Sequence, residues 1–500
     1  MRWAPLVATA VIGAIGFERY LDDAAFWVDE TIIADSIRNL SVGEIFGPLG
    51  LGKNSFPRFY LLALSGMNSL FGYETLVLRA LPIGFYLVAT YLWLRVLFSR
   101  LGAFPLLVGL AFCLNLLPTS WFAYGSMLKQ YTFDVFLSTM LFAISDRYFD
   151  RSLREGRSLW LCLALGLPCA LSYTYGIVLV GRLAGWYVGG LTQRDYRLAP
   201  SGVAALGIGV IVSSTSLWFT DIQFMADSVY GWWASCQLGN DWSSTPALLG
   251  KFGLGWYSGL QEFPIAGGLP KEFLVILQIA FVAGVFQVLR TLTGRSLPRV
   301  PDGWGTRSLG ALFVLFGVLA ASFLLRYPIC SGRLTLFALL PLQLVLFEGF
   351  VAAHSWLENK EGLKKLSLAL GLVWIGCVAP FGIRDVYRFS HAPVPDDIRA
   401  VLGRIQTHSD LEILVMPCLA VGARSLPGGL PSISVVYAPS PAGLPWGKEV
   451  LILEKNRHPG LVACFNHLKI LEKNAATWQE LHTPADPVRL YRASFPLTPP

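Results

Sequence analysis

Two adjacent carboxylates, Asp29 and Glu30, follow the first apolar segment of the chain in the stretch AFWVDETIIADSIRNL. They stand directly after Phe26, Trp27 and Val28, and aromatic neighbours near a membrane interface can partly desolvate a carboxylate. A carboxylate in that setting can act as a general base that takes a proton from an acceptor hydroxyl. The alternative is a pair of solvated loop acids with no chemical role.

A second group of polar residues lies in the stretch YGSMLKQYTFDVF. Lys129 and Tyr131 stand at the predicted outer end of a span, and Asp134 lies one turn deeper. A charged side chain within a span is costly and by default marks a functional site. Tyr131 and Asp134 are three residues apart and so share a helix face, which makes them candidate substrate contacts. Alternatively, Lys129 extends to the interface and Asp134 pairs with a neighbouring helix.

The third group consists of Arg79, Arg326 and Arg333, with Tyr327 beside the second of them. Each arginine falls at the predicted outer end of a span, where positive charge runs against the positive-inside bias. A phosphate at the outer leaflet would explain them, because a guanidinium binds phosphate through a bidentate fork. The alternative is that they extend to lipid headgroups.

Composition places these residues in a membrane. The 500-residue chain is 54% hydrophobic and 14% charged, with a mean hydropathy of +0.54, whereas a soluble protein is about 25% charged. The net charge of +7 comes from basic residues in short loops, so it indicates topology and not nucleic-acid binding. The first 350 residues hold no histidine, which argues against Ser-His catalysis and His-ligated zinc there. The absence of a GxxxxGK[ST] or GxGxxG loop argues against ATP hydrolysis and dinucleotide binding.

The apolar runs predict an α-helical polytopic membrane protein of about eleven spans. The N-terminal run is predicted to be an uncleaved first helix and not a signal peptide. The basic clusters lie at or after the ends of the even-numbered spans, and basic loops stay in the cytoplasm. This places the N-terminus in the cytoplasm, and the loop at 219–271 and the tail outside. Residues 21–74 are too polar to span and predict short helices at the outer membrane surface. The predicted spans are 4–20, 75–98, 102–119, 131–146, 158–173, 174–190, 201–218, 272–290, 308–325, 334–352 and 366–383.

The tail, residues 386–500, predicts a small extracytoplasmic α/β domain after a transmembrane domain over 1–385. DDIRAVLGRIQ has the pattern of an amphipathic helix, LEILVMP and EVLILE have the pattern of buried strands, and the Pro- and Gly-rich stretch between them is predicted to be loop. Cys418 and Cys464 are the two cysteines of this tail. An oxidising compartment permits a disulfide between them, and two buried free thiols are the alternative.

The order of these motifs resembles the GT-C class of membrane glycosyltransferases, and within it the bacterial proteins similar to protein O-mannosyltransferases and lipid A aminoarabinose transferases. The resemblance covers roughly residues 1–385. One departure is SFPRFY, with Arg58 after Pro57, where the family usually carries a Pro-Pro pair; this concerns the acceptor side. The motifs that carry the resemblance are WVDE, FGYETLVLRALP at 71–82, KQYTFD at 129–134 and RYPICSGRLTLFALLP at 326–341.

The resemblance implies inverting transfer of a sugar from a polyprenyl-phosphate-linked donor to a glycan, lipid or protein hydroxyl at the outer face of a bacterial inner membrane. Asp29 would be the base or the carboxylate that positions the acceptor, with Glu30 beside it, and Arg79, Lys129, Arg326 and Arg333 would bind the lipid phosphate. Tyr131, Asp134, Arg58 and Tyr327 are the candidate substrate contacts. No cofactor is implied with certainty, and a divalent metal would need carboxylate ligands, which suit Mg²⁺ or Mn²⁺.

Two other functions fit part of the pattern. A flippase or transporter of a lipid-linked glycan would also carry charges in its spans, but it predicts paired halves with matching broken helices, and the sequence shows no such repeat. An O-antigen-type ligase or polymerase would place its main charges in a late outer loop, whereas the acidic pair here is early.

Overall fold

The computed structural model describes most of the chain from residue 3 to residue 391 and the strands of the tail. Arg333, Cys236, Cys330, Cys418, Cys464 and all but one residue of the predicted helix over 396–406 lie outside the described residues, as does the side chain of Asp29. The described ranges are 3–21, 28–47, 56–102, 104–192, 198–220, 237–238, 243, 245–258, 269–293, 304–329, 335–360, 363–391, 405, 411–415, 433–435, 448–455, 472–473, 475–481, 488–494 and 496.

Helices make up the first four fifths of the chain. The helices are α1 (Ala4–Leu21), α2 (Val28–Asn39), α3 (Val42–Ile45), α4 (Arg58–Phe71), α5 (Thr75–Leu101), α6 (Pro105–Asn115), α7 (Thr119–Gly125), α8 (Tyr131–Ala143), α9 (Asp146–Phe149), α10 (Leu159–Gly166), α11 (Tyr175–Thr192), α12 (Pro200–Thr220), α13 (Thr245–Ser258), α14 (Lys271–Arg290), α15 (Trp304–Leu325), α16 (Leu339–Glu358) and α17 (Lys364–His391). The predicted surface region holds α2, α3 and α4, and the predicted outer loop holds α13.

Seven helices in the described part are long and apolar enough to cross a membrane: Ala4–Leu21, Thr75–Leu101, Pro200–Thr220, Lys271–Thr293, Gly305–Leu325, Leu336–Glu358 and Lys365–Arg388. The chain is thus a multi-pass helical membrane protein, as predicted. The count of eleven is not confirmed. The other four predicted spans are helices at the expected places. Three of them, Pro105–Asn115, Tyr131–Ala143 and Leu159–Ala170, are shorter. The fourth, α11, is not among the helices that are both long and apolar enough to cross. Pro118 and Pro168 interrupt two of these stretches, because proline has no amide hydrogen for the helix ladder.

The bundle is held by helix pairs that touch at glycine. In the pair α14 and α16, a Cβ added at Gly349 would lie 1.8 Å from the carbonyl oxygen of Ala280, and one added at Gly284 would lie 1.9 Å from that of Val345. In the pair α11 and α15, a Cβ at Gly185 would lie 2.2 Å from the amide nitrogen of Gly310. Close backbone approach through small residues is the usual way in which helices associate in lipid.

Buried polar side chains also connect the spans. Arg100 of α5 donates two hydrogen bonds to Glu348 of α16, at 2.8 and 2.7 Å, and Ser308 of α15 donates to the same carboxylate at 2.8 Å. Gln343 accepts from the indole of Trp93 at 2.8 Å and contacts Asn115 and Tyr257 at 3.0 Å. Through Tyr257, this second network anchors α13 of the predicted outer loop to the bundle.

The tail forms a five-stranded sheet in the order β2-β1-β3-β5-β4, in which β1 pairs in parallel with β2 and β3, and β5 pairs antiparallel with β3 and β4. The strands are β1 (Glu412–Val415), β2 (Ile433–Val435), β3 (Glu449–Lys455), β4 (Thr477–Glu480) and β5 (Val488–Ser494). The strand predictions for LEILVMP and EVLILE are confirmed. The loop prediction between them is wrong at Ile433–Val435, because β-branched residues in that stretch pair with β1.

Candidate active site

The position of the acidic pair is fixed by the buried face of α2. Glu30, Ile33, Ala34 and Ile37 are all at most 3% exposed, and their spacing of three and four residues places them on one side of a helix. Three of these side chains are apolar and pack in the core. The carboxylate of Glu30 is buried because it lies on the same face. Asp29 precedes Glu30 in the first turn of the same helix, where the helix dipole favours negative charge.

The carboxylate of Glu30 is bound on both oxygens. Arg79 of α5 donates from Nε to Oε1 at 3.1 Å and from a terminal nitrogen to Oε2 at 2.7 Å. The backbone amide of Leu128 donates to Oε1 at 2.7 Å. The Arg79 and Glu30 side chains are 6% and 1% exposed, so this is a buried, bidentate ion pair of the strong type. It joins the start of α2 to α5 and to the connection between α7 and α8.

Lys129 follows Leu128, so its backbone adjoins the amide that binds Glu30. Its side chain is buried, and its ammonium lies 5.5 Å from the centre of the Phe56 ring. Tyr60 of α4 donates from its hydroxyl to the backbone carbonyl of Lys129 at 3.3 Å. The rings of Phe56 and Tyr60 are 6.0 Å apart, so an aromatic surface borders the lysine. A cation over an aromatic face is stabilised by the ring quadrupole.

Asp134 is buried one turn into α8, and Ser172 donates a hydrogen bond to its carboxylate. The same hydroxyl accepts from the amides of Thr174 and Tyr175 at 3.3 and 3.2 Å, at the start of α11. The serine therefore caps α11 while it orients the carboxylate. The sequence analysis gave a neighbouring helix as the alternative partner of Asp134; the partner seen here, Ser172, lies in the connection before α11.

The three tyrosines near Asp134 complete the cluster. Tyr60 lies near both Asp134 and Glu30, and Tyr327 lies near Asp134 and Tyr131. The Tyr131 ring makes an edge contact with Tyr124 at 5.1 Å. The structure thus brings six of the predicted site residues into one region: Glu30, Arg79, Lys129, Tyr131, Asp134 and Tyr327.

Two other predicted site residues have different surroundings. Arg58 is 1% exposed, and its Nε donates to the backbone carbonyl of Thr220 at the end of α12, at 2.7 Å. Arg326 is exposed and has φ of 56°, a left-handed conformation that is uncommon outside glycine. It follows α15, and the next amide, that of Tyr327, bonds back to the carbonyl of Ala321 at 3.2 Å. Arg326 therefore turns the chain so that Tyr327 points toward the cluster.

The described residues contain no group of three or more His, Cys, Asp or Glu side chains that could hold a metal ion. Within the cluster, both oxygens of Glu30 contact Arg79, and Asp134 contacts Ser172. A metal ion at Glu30 would therefore compete with the Arg79 guanidinium for the same carboxylate oxygens.

Sequence reasoning missed Tyr60, Leu128 and Ser172. Tyr60 could have been found, because it lies with Leu61 and Leu64 on the buried face of an amphipathic helix, and a buried tyrosine hydroxyl needs a partner. Leu128 contributes a backbone amide, which leaves no signal in the side-chain pattern. Ser172 lies 38 residues from Asp134, and no local periodicity connects the two.

No protein-family model matches this chain, and no curated protein matches it. Two solved structures are similar along nearly the whole chain. ArnT from Cupriavidus metallidurans bound to undecaprenyl phosphate has 11% sequence identity and a TM-score of 0.44, over 99% of this chain and 98% of that chain. The same protein in the apo state has 12% identity and a TM-score of 0.39, over 98% and 97%.

Proposed function

We propose that this protein is an inverting glycosyltransferase that moves a sugar from a polyprenyl-phosphate-linked donor to a hydroxyl acceptor at the outer face of the membrane. The observation that carries the proposal is the Glu30 carboxylate, which is held by Arg79 and by the amide of Leu128. This contact joins the first turn of α2, which holds Asp29, to the backbone segment that holds Lys129. We infer that the Asp29 carboxylate and the Lys129 ammonium act at one site.

Asp29 is the general base in this proposal, and Glu30 positions it. Both oxygens of Glu30 already accept hydrogen bonds, whereas a base must offer an oxygen to the acceptor hydroxyl. Arg79 donates two bonds to Glu30, so we assign it to holding the acid rather than to binding phosphate. This changes the roles that the resemblance implied for Glu30 and Arg79, and it leaves that of Asp29.

The reaction then needs neither a nucleotide nor a histidine. Asp29 takes the proton of the acceptor hydroxyl, and the oxygen attacks the anomeric carbon of the sugar from the side opposite the phosphate. The bond from that carbon to the phosphate oxygen breaks, and polyprenyl phosphate leaves with the electron pair. Lys129 is the candidate cation for the departing phosphate, because a fixed positive charge stabilises the charge that develops there.

The test is sugar transfer in proteoliposomes from a panel of radiolabelled polyprenyl-phosphate-linked pentoses and hexoses. Asp29→Asn keeps the side-chain shape and removes the base, and loss of a general base costs about 10²–10⁴ in rate. Glu74→Gln is the matched control, since Glu74 is an exposed acid that precedes α5. The proposal is wrong if the Asp29→Asn variant turns over as fast as the control, or if lipid crosses the bilayer while the donor is not consumed.

A further inference from the structure

A groove far along the bundle from the acidic cluster has no part in the proposed reaction. It lies between α6, α14, α16 and α17 and encloses a volume of about 230 Å³. Its lining is almost wholly apolar, with Leu107, Leu110, Ala283, Phe350 and Trp374 among its residues. The faces next to it are exposed and apolar as well, as Val282 and Phe286 on α14 and Val373 on α17 show. Because α14 and α17 are both long enough to span a membrane, these faces meet lipid chains.

The two polar residues of the lining satisfy each other. His354 of α16 contacts the hydroxyl of Ser367 of α17 through Nδ1 at 2.5 Å. The other ring nitrogen of His354 lies 3.3 Å from Glu358. These contacts tie α16 to α17 at one end of the groove and give the groove no polar group that requires a polar ligand. An apolar chain is therefore the occupant that its walls suit.

Positive charge stands just beyond that same end. Lys360 and Lys365 are both exposed and lie at the connection between α16 and α17. The amide of Lys360 bonds to the carbonyl of Leu357, which lines the groove, at 3.2 Å, and Lys365 is two residues from Ser367. Among the described residues at this connection, the carboxylate of Glu358 lies 3.3 Å from His354. Lysines next to a bilayer surface attract anionic lipids.

We propose that the groove binds one acyl chain of an anionic phospholipid, with the headgroup phosphate at Lys360 and Lys365. The lipid belongs to the leaflet that the charge pattern predicts to be cytoplasmic, opposite the face at which the sugar is transferred. The site is thus distinct from the donor lipid, whose phosphate is proposed to meet Lys129 at the other end of the bundle.

The test is native mass spectrometry of the delipidated full-length protein titrated with phosphatidylglycerol or phosphatidylcholine. Ala283→Trp fills the groove, and a tryptophan that displaces even two methylenes of the chain should weaken binding about tenfold. Val282→Trp is the matched control, because this neighbour is exposed and does not line the groove. Ala353→Trp is a second filling variant at an exposed lining position, in case Ala283→Trp does not fold.

The expected result is one tightly bound phosphatidylglycerol that is lost in the filling variants and retained in Val282→Trp. The double variant Lys360→Gln, Lys365→Gln should bind phosphatidylglycerol and phosphatidylcholine equally. Equal retention by filling variants and control would overturn the proposal, as would equal affinity of the wild type for the two lipids. Displacement of bound phosphatidylglycerol by an equimolar amount of polyprenyl phosphate would assign the groove to the donor lipid and would also overturn it.

Discussion

Helix α5 carries a buried arginine–glutamate pair at each end, and the two pairs have the same geometry. In the first pair, Glu30 receives two bonds from Arg79 and a third from the amide of Leu128. In the second, Glu348 receives two bonds from Arg100 and a third from the hydroxyl of Ser308. All four side chains are at most 6% exposed.

What distinguishes the two pairs is their neighbours. Arg100, Glu348 and Ser308 lie on three helices that meet the length and hydropathy of spans, so this pair fastens spans to one another. The first pair fastens a short helix, α2, and the connection before α8 to α5, and Asp29 and Lys129 are adjacent in sequence to its members. A buried ion pair is therefore no evidence of chemistry by itself, and the first pair is a candidate site because its members adjoin an acid and a lysine in the sequence.

The largest effect is expected when the glutamate of each pair is replaced by glutamine. Removal of one partner of a buried pair costs about 3–5 kcal/mol, so Glu30→Gln and Glu348→Gln should both lower the free energy of unfolding measured by denaturant titration in detergent. Transfer per folded molecule should fall in Glu30→Gln alone, because Glu30 orients Asp29. An equal fall in Glu348→Gln would remove the distinction between the pairs.

Substitution of Lys129, which adjoins the first pair, tests whether that region binds the donor. Lys129→Gln removes the charge proposed to meet the donor phosphate, and a hydrogen bond to a charged group contributes about 1.5–3 kcal/mol. We expect the apparent KM for the donor to rise roughly tenfold to hundredfold, with little change in the apparent KM for the acceptor. Lys271→Gln, at an exposed lysine at the start of α14, is the control and should behave as the wild type does.

The close packing of α14 against α16 can be tested at Gly349, the residue after Glu348. Gly349→Ala would place a Cβ 1.8 Å from the carbonyl oxygen of Ala280, and overpacking of this kind costs about 1–3 kcal/mol. A Cβ at Gly207 meets nothing within 4 Å, so Gly207→Ala on α12 should unfold at the wild-type temperature or slightly above it. If the two variants have the same unfolding temperature in a thermal scan, α14 and α16 do not pack as closely as described.

The smallest effect is expected for single tyrosine hydroxyls. Tyr60→Phe removes the bond to the carbonyl of Lys129, and Tyr86→Phe removes a bond to the carbonyl of Ile12 at 2.7 Å. Each should cost about 0.5–1.5 kcal/mol of stability. Tyr60→Phe should in addition raise the donor KM, since it loosens the backbone that carries Lys129, whereas Tyr86→Phe should leave the donor KM unchanged.

The sequence predicted the helices better than it predicted their lengths. Hydropathy is summed over a window, so it found a helix at each of the eleven predicted spans, but it could not separate a full crossing from a short apolar helix such as Tyr131–Ala143. In the tail, the short apolar runs in LEILVMP and EVLILE were enough to predict β1 and β3. The three-residue strand β2 was missed because it exists only through its pairing with β1.

For the site, the sequence alone determined which residues were available: an acidic pair after the first span, a lysine and an aspartate at the start of α8, and arginines where positive charge is unexpected. The tertiary structure decided their partners. It gave Arg79 to Glu30, Asp134 to Ser172 and Arg58 to the carbonyl of Thr220. These contacts join positions 38 to 162 residues apart, and helix periodicity fixes only which residues share a face. Which face meets which is set by packing, and here packing places Arg79, an arginine predicted for phosphate, against the carboxylate of Glu30.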